Sequence, residues 1–247
     1  MTLEKNVEFA VNIKCQKQVD ALKKTLSEIK IEDASISKEN KSLVVKSSLP
    51  SSQILAKIKG AGFEAAIKGV GPATGENISA AVCVLNNERI KGIIRFVQTS
   101  SECIIEGTIE GLSPGKHGIN IHEHGDISNS CQNTGQHYNP FNAPHGGPMD
   151  PPNERHVGDL GNVEADNHGR AVFVVEDGII SVEDIIGRAV VIHAQEDDLG
   201  QGNNHLSKKT GNAGEAIVCG IIARSSGLFQ NKKQICACDG TTLWEES

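Results

Sequence analysis

From Ser79 to Arg224 the apolar residues of this chain come in short β-branched runs closed by Gly or Asn. They read SAAVCVLN, RIKGIIRFVQ, ECIIEGTIEG, GINIHEHG, RAVFVVED, RAVVIHA and AIVCGIIA. No helical period runs between them, so the stretch is expected to fold as seven or eight antiparallel strands in a sandwich or barrel. Only eight of the 247 residues are aromatic, which leaves Val, Ile, Leu and Ala to fill the core. Between the runs lie two long Gly/Asn/Pro-rich segments, 125–168 and 194–214, that are full of His and Asp. Loops of that length in a compact domain are usually functional.

Residues 1–72 have another texture. Val7, Phe9, Val11 and Ile13 alternate as in a half-buried strand, and Val19, Leu22, Leu26 and Ile29 recur at helical spacing. Two short strands around Ala34–Ile36 and Leu43–Val45 follow, then a helix through Ile54, Leu55 and Ile58, then a strand from Phe63. The order βαββαβ is ferredoxin-like. This segment carries twelve Lys, no Arg and eight acids, whereas the remainder carries twelve bases, twenty-three acids and all nine His. So sharp a step divides the chain into a module at 1–72, a second at 78–224 and a short flexible C-terminal tail at 225–247, with Gly69–Asn77 as the linker. The overall charge of −7 and the lack of rings for base stacking argue against nucleic acid. No apolar run approaches the ~20 residues of a membrane span, and the N-terminus has no secretory pattern. A soluble cytoplasmic protein is expected.

His137, His145, His156 and Asp159 share one loop; three imidazoles and a carboxylate suit tetrahedral Zn2+. His122 and His124 form an HxH on a strand, and with His137 and His193 they supply an imidazole-rich set of the kind copper prefers. Cys131 and Cys219 lie in segments able to meet, either as a disulfide or as two buried thiols. Cys83 and Cys103 fall within strands as small core residues. Cys236 and Cys238 stand in the polar tail beside Lys232 and Lys233, where two thiolates one residue apart can hold soft Cu+ or exchange disulfides.

GINIHEHGD, GQHYNP, HGGP, ERHVGDLGN, GRAVVIHAQEDDLG and KTGNAG together resemble the Cu,Zn superoxide dismutase signature over about residues 78–224. The added module before it and the CxC tail after it are similar to the metallochaperones that serve that enzyme. The resemblance implies a Greek-key barrel of the dismutase type. It implies zinc on His137, His145, His156 and Asp159, a disulfide between Cys131 and Cys219, and Asp197 as the acid linking two metal sites. As partner it implies Cu,Zn superoxide dismutase in a heterodimer, with a homodimer when alone, a copper transporter upstream, and a minor mitochondrial intermembrane-space pool. Delivery of Cu+ and promotion of the target's intrasubunit disulfide would fall to Cys236 and Cys238.

The chain departs from the resemblance at three points. Asn120 stands at the first copper-ligand position, leaving His122, His137 and His193, and Ala216 replaces the Arg that guides the anionic substrate. In the first module the MxCxxC motif is reduced to Ile13-Lys14-Cys15-Gln16-Lys17-Gln18, so Cys15 has no second thiol beside it. Cys15, His122 and His193 are therefore at most a residual copper set. The rival reading is a dismutase with accessory domains; Asn120 and Ala216 speak against it.

Overall fold

The computed structural model describes residues 4–72, 79–231, 233–235 and 242–244, with side chains up to residue 231. Two compact units emerge: residues 1–80 with 97–100 and 225–247, and residues 81–96 with 101–224.

In the first unit β1 (Lys5–Val11), α1 (Gln16–Glu28), β2 (Ala34–Ser37), β3 (Ser42–Ser47), α2 (Ser51–Gly60) and β4 (Ala65–Pro72) follow the βαββαβ order. The sheet runs β2-β3-β1-β4, all its pairs antiparallel. Alternation gives β1 one apolar face, Val7, Phe9 and Val11, wholly buried. Val19, Leu22 and Leu26 of α1 and Ile54 and Ile58 of α2 are the buried helical positions that complete this core. The linker expected from Gly69 begins later, because Gly69–Pro72 belong to β4 and pair with β1. The rest of it, 73–78, lies outside the described residues.

The second unit is an eight-stranded antiparallel sheet. Its strands are β5 (Ala80–Asn86), β6 (Lys91–Gln98), β7 (Cys103–Glu110), β8 (Gly115–His122), β10 (Asp159–Ala165), β11 (Arg170–Asp177), β12 (Ala189–His193) and β13 (Ala216–Arg224). The order β10-β8-β12-β13-β5-β6-β7-β11 ends on two strands that follow one another in the chain. A turn, Asp166 N–H to Arg170 O at 3.0 Å, joins them, so the sheet curls into a nearly closed barrel with Greek-key crossings. Ile94, Phe96, Ile105, Ile109, Ile121, Val190, Ile192 and Ile222 are among the side chains that fill it. Short β9 (Ser128–Cys131) precedes a single 3-10 turn, and two four-residue helices, α3 (Val182–Ile185) and α4 (Ser207–Thr210), lie in the connections. In the last segment β14 (Lys233–Ile235) pairs with β15 (Thr242–Trp244). No helix among the described residues is long and apolar enough to cross a membrane.

Candidate metal centres

Asp159 is the first residue of β10, opposite Asn120 of β8, and it is fully buried. Its Oδ1 lies 2.8 Å from His137 Nδ1, 3.0 Å from His145 Nδ1 and 3.1 Å from His156 Nδ1. Oδ2 accepts the backbone N–H of His156 at 2.9 Å and of Gly146 at 3.1 Å. All four side chains are buried and offer ligand atoms within 4.8 Å of one another. His145 Nδ1 is near Asp159 yet off the hydrogen-bond line, and it has no other partner among the described residues. Burial opposes a charge on Asp159, but the three imidazoles hold its carboxyl well below the usual range. Burial also opposes a charge on His145; Asp159 and Asp197 outweigh it and raise that ring to about 9. An N3O donor set organised around buried negative charge fits Zn2+.

The loop reaches this arrangement by pinning rather than by apolar packing. Tyr138 N–H donates to Ile121 O at 2.8 Å, and Ile121 N–H to Gly158 O at 2.8 Å, stitching both ends of the loop to β8. Arg188 covers the Tyr138 ring at 3.6 Å and donates to Glu123 O at 2.8 Å. Arg155, beside His156, is buried and donates to Pro148 O at 2.6 Å, His156 O at 3.1 Å and Asp177 Oδ2 at 2.7 Å. Further out, Asp197 Oδ1 lies 2.8 Å from His145 Nε2. Asn162 holds Asp197 by its backbone on both sides, at 2.8 Å each. Gly211 passes so close to Asp197 and His145 that a side chain there would collide with both, and its φ of +60° is one that glycine tolerates.

The second cluster is His122, His137 and His193, all buried, with ligand atoms within 4.8 Å. His122 Nδ1 meets Gly135 O at 3.0 Å and His193 Nδ1 meets Gly214 O at 3.1 Å. A carbonyl only accepts, so the proton sits on Nδ1 and each Nε2 is left with a lone pair. The Nε2 atoms of His122, His137 and His193 are all buried without a hydrogen-bond partner among the described residues. Burial first, and then the neighbouring rings His137 and His193, push His122 down to about 3; burial also lowers His137 and His193. Three neutral imidazoles with converging lone pairs fit a soft or borderline copper ion. Asn120 is fully buried with Oδ1 unpartnered, and its Nδ2 reaches Asp197 Oδ2 only at 3.5 Å. Ala216 is the register partner of His193 and is exposed.

His124 does not share the face of His122. β8 ends at His122, so the two-residue alternation stops there, and the His124 side chain is 66% exposed beside Glu123. Cys131 and Cys219 are joined as a disulfide with Cα atoms 5.7 Å apart. Cys83 and Cys103 are buried free thiols, and burial pushes Cys83 up to about 12. Cys15 is exposed, precedes α1 and joins neither cluster. Gln18 accepts the Lys14 N–H on Oε1 at 2.7 Å. Cys236 and Cys238 lie outside the described residues.

Arg155, Asn162 and His117 were not singled out from the sequence. His117 is 2% exposed and bonds the His193 carbonyl through Nδ1 at 2.8 Å, fixing the strand end that carries a cluster ring. The one available signal was for Arg155, a charge flanking a candidate ligand inside a Gly/Pro-rich loop.

The copper/zinc superoxide dismutase family model matches residues 90–222. A human protein named "Copper chaperone for superoxide dismutase" is 49% identical over 243 residues, covering 97% of this chain and 88% of its own length. The mouse protein of that name is 50% identical over the same coverage. Superoxide dismutase [Cu-Zn] 5 of Dictyostelium discoideum is 48% identical over 151 residues, 59% of this chain and 98% of its own. Among solved structures, that of the clock protein EA4 matches with a TM-score of 0.57 at 43% identity, covering 60% of this chain and 96% of that one.

Proposed function

This chain belongs to the family of copper chaperones for superoxide dismutase, and from that premise we propose that it docks on the dismutase, hands it Cu+ and promotes its intrasubunit disulfide through Cys236 and Cys238. The observation that carries this reading is the contrast inside the barrel. The Asp159-centred set is complete and buttressed, while the neighbouring set has Asn120 in place of a fourth imidazole and Ala216 opposite His193. Such a barrel keeps the dismutase fold without an arginine at position 216 to guide an anionic substrate.

The labour divides among 1–72, 78–224 and 225–247. In the barrel His137, His145, His156 and Asp159 would hold zinc, which supplies order to a loop that has little apolar packing of its own. Val84, Ile127 and Ile221 are exposed apolar side chains, and pairing of Ile222 with Cys83 sets Ile221 beside Val84. Gly125 approaches Gly187 and Ile221 closely enough to extend the same surface. This patch is the docking face, for a dismutase subunit or for a second copy of the chain. In the tail, two soft sulfur ligands carry Cu+ as cargo and pass it on by ligand exchange. Once Cu+ has left, an external two-electron oxidant such as dioxygen joins the emptied pair as a disulfide. That disulfide then accepts two electrons from the target: a target thiolate attacks one sulfur, the other leaves as a thiolate, and the second target thiolate resolves the mixed disulfide. Cys236 and Cys238 end reduced and the target ends with its disulfide.

The test mixes Cys236→Ser or Cys238→Ser protein with zinc-loaded, disulfide-reduced dismutase. Complex formation should persist while copper content and disulfide of the target fail to appear. Normal loading and oxidation by either variant would overturn the tail chemistry; loss of binding would overturn the division of labour.

A further inference from the structure

The first unit contains a close contact that the barrel chemistry does not use. Val7, Phe9 and Val70 lie at 3% exposure or less on the core side of β1 and β4. Alternation turns Glu8, Gly69 and Gly71 to the other face, where Glu8 pairs with Gly69 and Asn6 with Gly71. Residues 227–229 lie against that face. Glu8 is buried and takes Lys68 Nζ on Oε1 at 2.9 Å and the Phe229 N–H on Oε2 at 2.8 Å. A Cβ on Gly69 would run into the Gly227 carbonyl, and one on Gly71 would come within 2.8 Å of Leu228 Cγ and Cδ1. Leu228 itself is buried, and Gln230 closes the segment by accepting the Gly227 N–H at 2.9 Å. β14, which packs beside β1 and β4, then ends at Ile235, one residue before Cys236.

We propose that the sheet face turned away from α1 and α2 is a parking site for this chain's own tail, with Leu228 in the Gly69/Gly71 groove and Glu8 on the Phe229 amide, and that copper transfer by the Cys236/Cys238 pair is slowed while the tail is parked. The second half rests on the tail being the transfer element. The hold is built to be given up. Its side-chain anchors among residues 227–229 are one leucine and one charge-assisted hydrogen bond, with β14 lying alongside. Against them stands Phe229, held at φ +61° in the left-handed region with its ring 71% exposed. Parked and free tails are then both populated, and a small loss of contact shifts the balance.

The full-length protein tests this by amide exchange over residues 225–231, alongside the initial rate of copper loading of zinc-loaded, disulfide-reduced dismutase. Gly71→Leu fills the groove, and Leu228→Asp breaks the contact from the tail side without touching the Val7/Phe9 core. The wild-type Phe229 amide should be protected by about tenfold or more, both variants should lose that protection, and both should load copper several-fold faster. An unprotected wild-type amide, protection unchanged in both variants, or slower loading by Leu228→Asp would overturn the proposal. Absence of loading by all three, with the protection pattern as expected, would overturn the transfer reading while supporting the contact.

Discussion

The two imidazole groups of the barrel share His137 and differ in what surrounds their other members. Around Asp159 the ligands are tied to a carboxylate, two backbone amides and, through His145, to Asp197 and Asn162. Around His122 and His193 the ring Nδ1 atoms meet the Gly135 and Gly214 carbonyls, with the Thr134 hydroxyl also beside His122, and the neighbouring Asn120 amide barely reaches Asp197. On the reading proposed above, the first group is a structural element that orders its loop. On the same reading the second lacks a fourth imidazole and a guiding cation, while β8 still carries His122 and β12 still carries His193. If so, a site supported by strands outlasts its use, whereas one that organises a loop does not.

The largest expected effect follows directly. Asp159→Ala removes the group on which three imidazoles converge, and breaking a buried charged set costs about 3–5 kcal/mol. For a unit of this size that is roughly 10 °C or more in melting temperature, with zinc content falling to near zero. His122→Ala should leave zinc content unchanged. Metal analysis and thermal unfolding of both variants would break the comparison if they behaved alike.

The converse change restores what the second group lacks. Asn120→His with Ala216→Arg should raise copper retained by the barrel, after the tail cysteines are replaced, to near one per chain. Superoxide disproportionation should rise with it, since a fourth imidazole completes the donor set and the arginine attracts the anion. Copper bound in the expected spectroscopic geometry without activity would show that something other than these two residues silences the barrel.

How far the sequence shows this depends on whether a feature is periodic. The strands of both units are legible because alternation and β-branched runs repeat locally. Among the eight strands of the barrel β10 is the exception: it starts on Asp159, passes Gly161 at φ +77°, and shifts register between Asp159 and Asn162, so the alternation that would betray a strand is broken. His124 misleads for the opposite reason, since the HxH pattern continues past the point where β8 stops. The four members of the Asp159 set are visible as residue types in one loop. Arg155–Asp177 and Asn162–Asp197 are not, because each joins residues with no shared period and is fixed only by the folded loop.

pH offers a sharper comparison, because the groups lean in opposite directions in metal-stripped protein. His122, lowered to about 3, refuses a proton that the unfolded chain takes up below about 6.5, so its contribution is lost as pH falls from about 6.5 towards 3. His145, raised to about 9, keeps a proton that the unfolded chain has already released, so its contribution is lost as pH rises through about 9. Stability against urea should therefore peak near pH 6.5. His122→Gln should flatten the acid limb and His145→Gln the alkaline one; a single slope across the range would refute the opposed assignment.

The smallest effect is expected at the residue that links the two groups. Asn120 contributes one long contact to Asp197 and leaves Oδ1 without a partner, so Asn120→Ala removes little hydrogen bonding and relieves an unsatisfied buried group. The cost should be about 1 kcal/mol or less, most of it the small void. Asn162→Ala breaks two good hydrogen bonds to the Asp197 backbone and should cost about 2 kcal/mol or more. It should also weaken zinc by about tenfold or more, because Asp197 orients His145. Zinc competition with a chromophoric chelator separates the two variants. Were Asn120→Ala to weaken zinc as much as Asn162→Ala, Asn120 would belong to the working support of the Asp159 set. The amide would then have been kept for the zinc side, and its place in the second group would no longer mark a ligand lost without replacement.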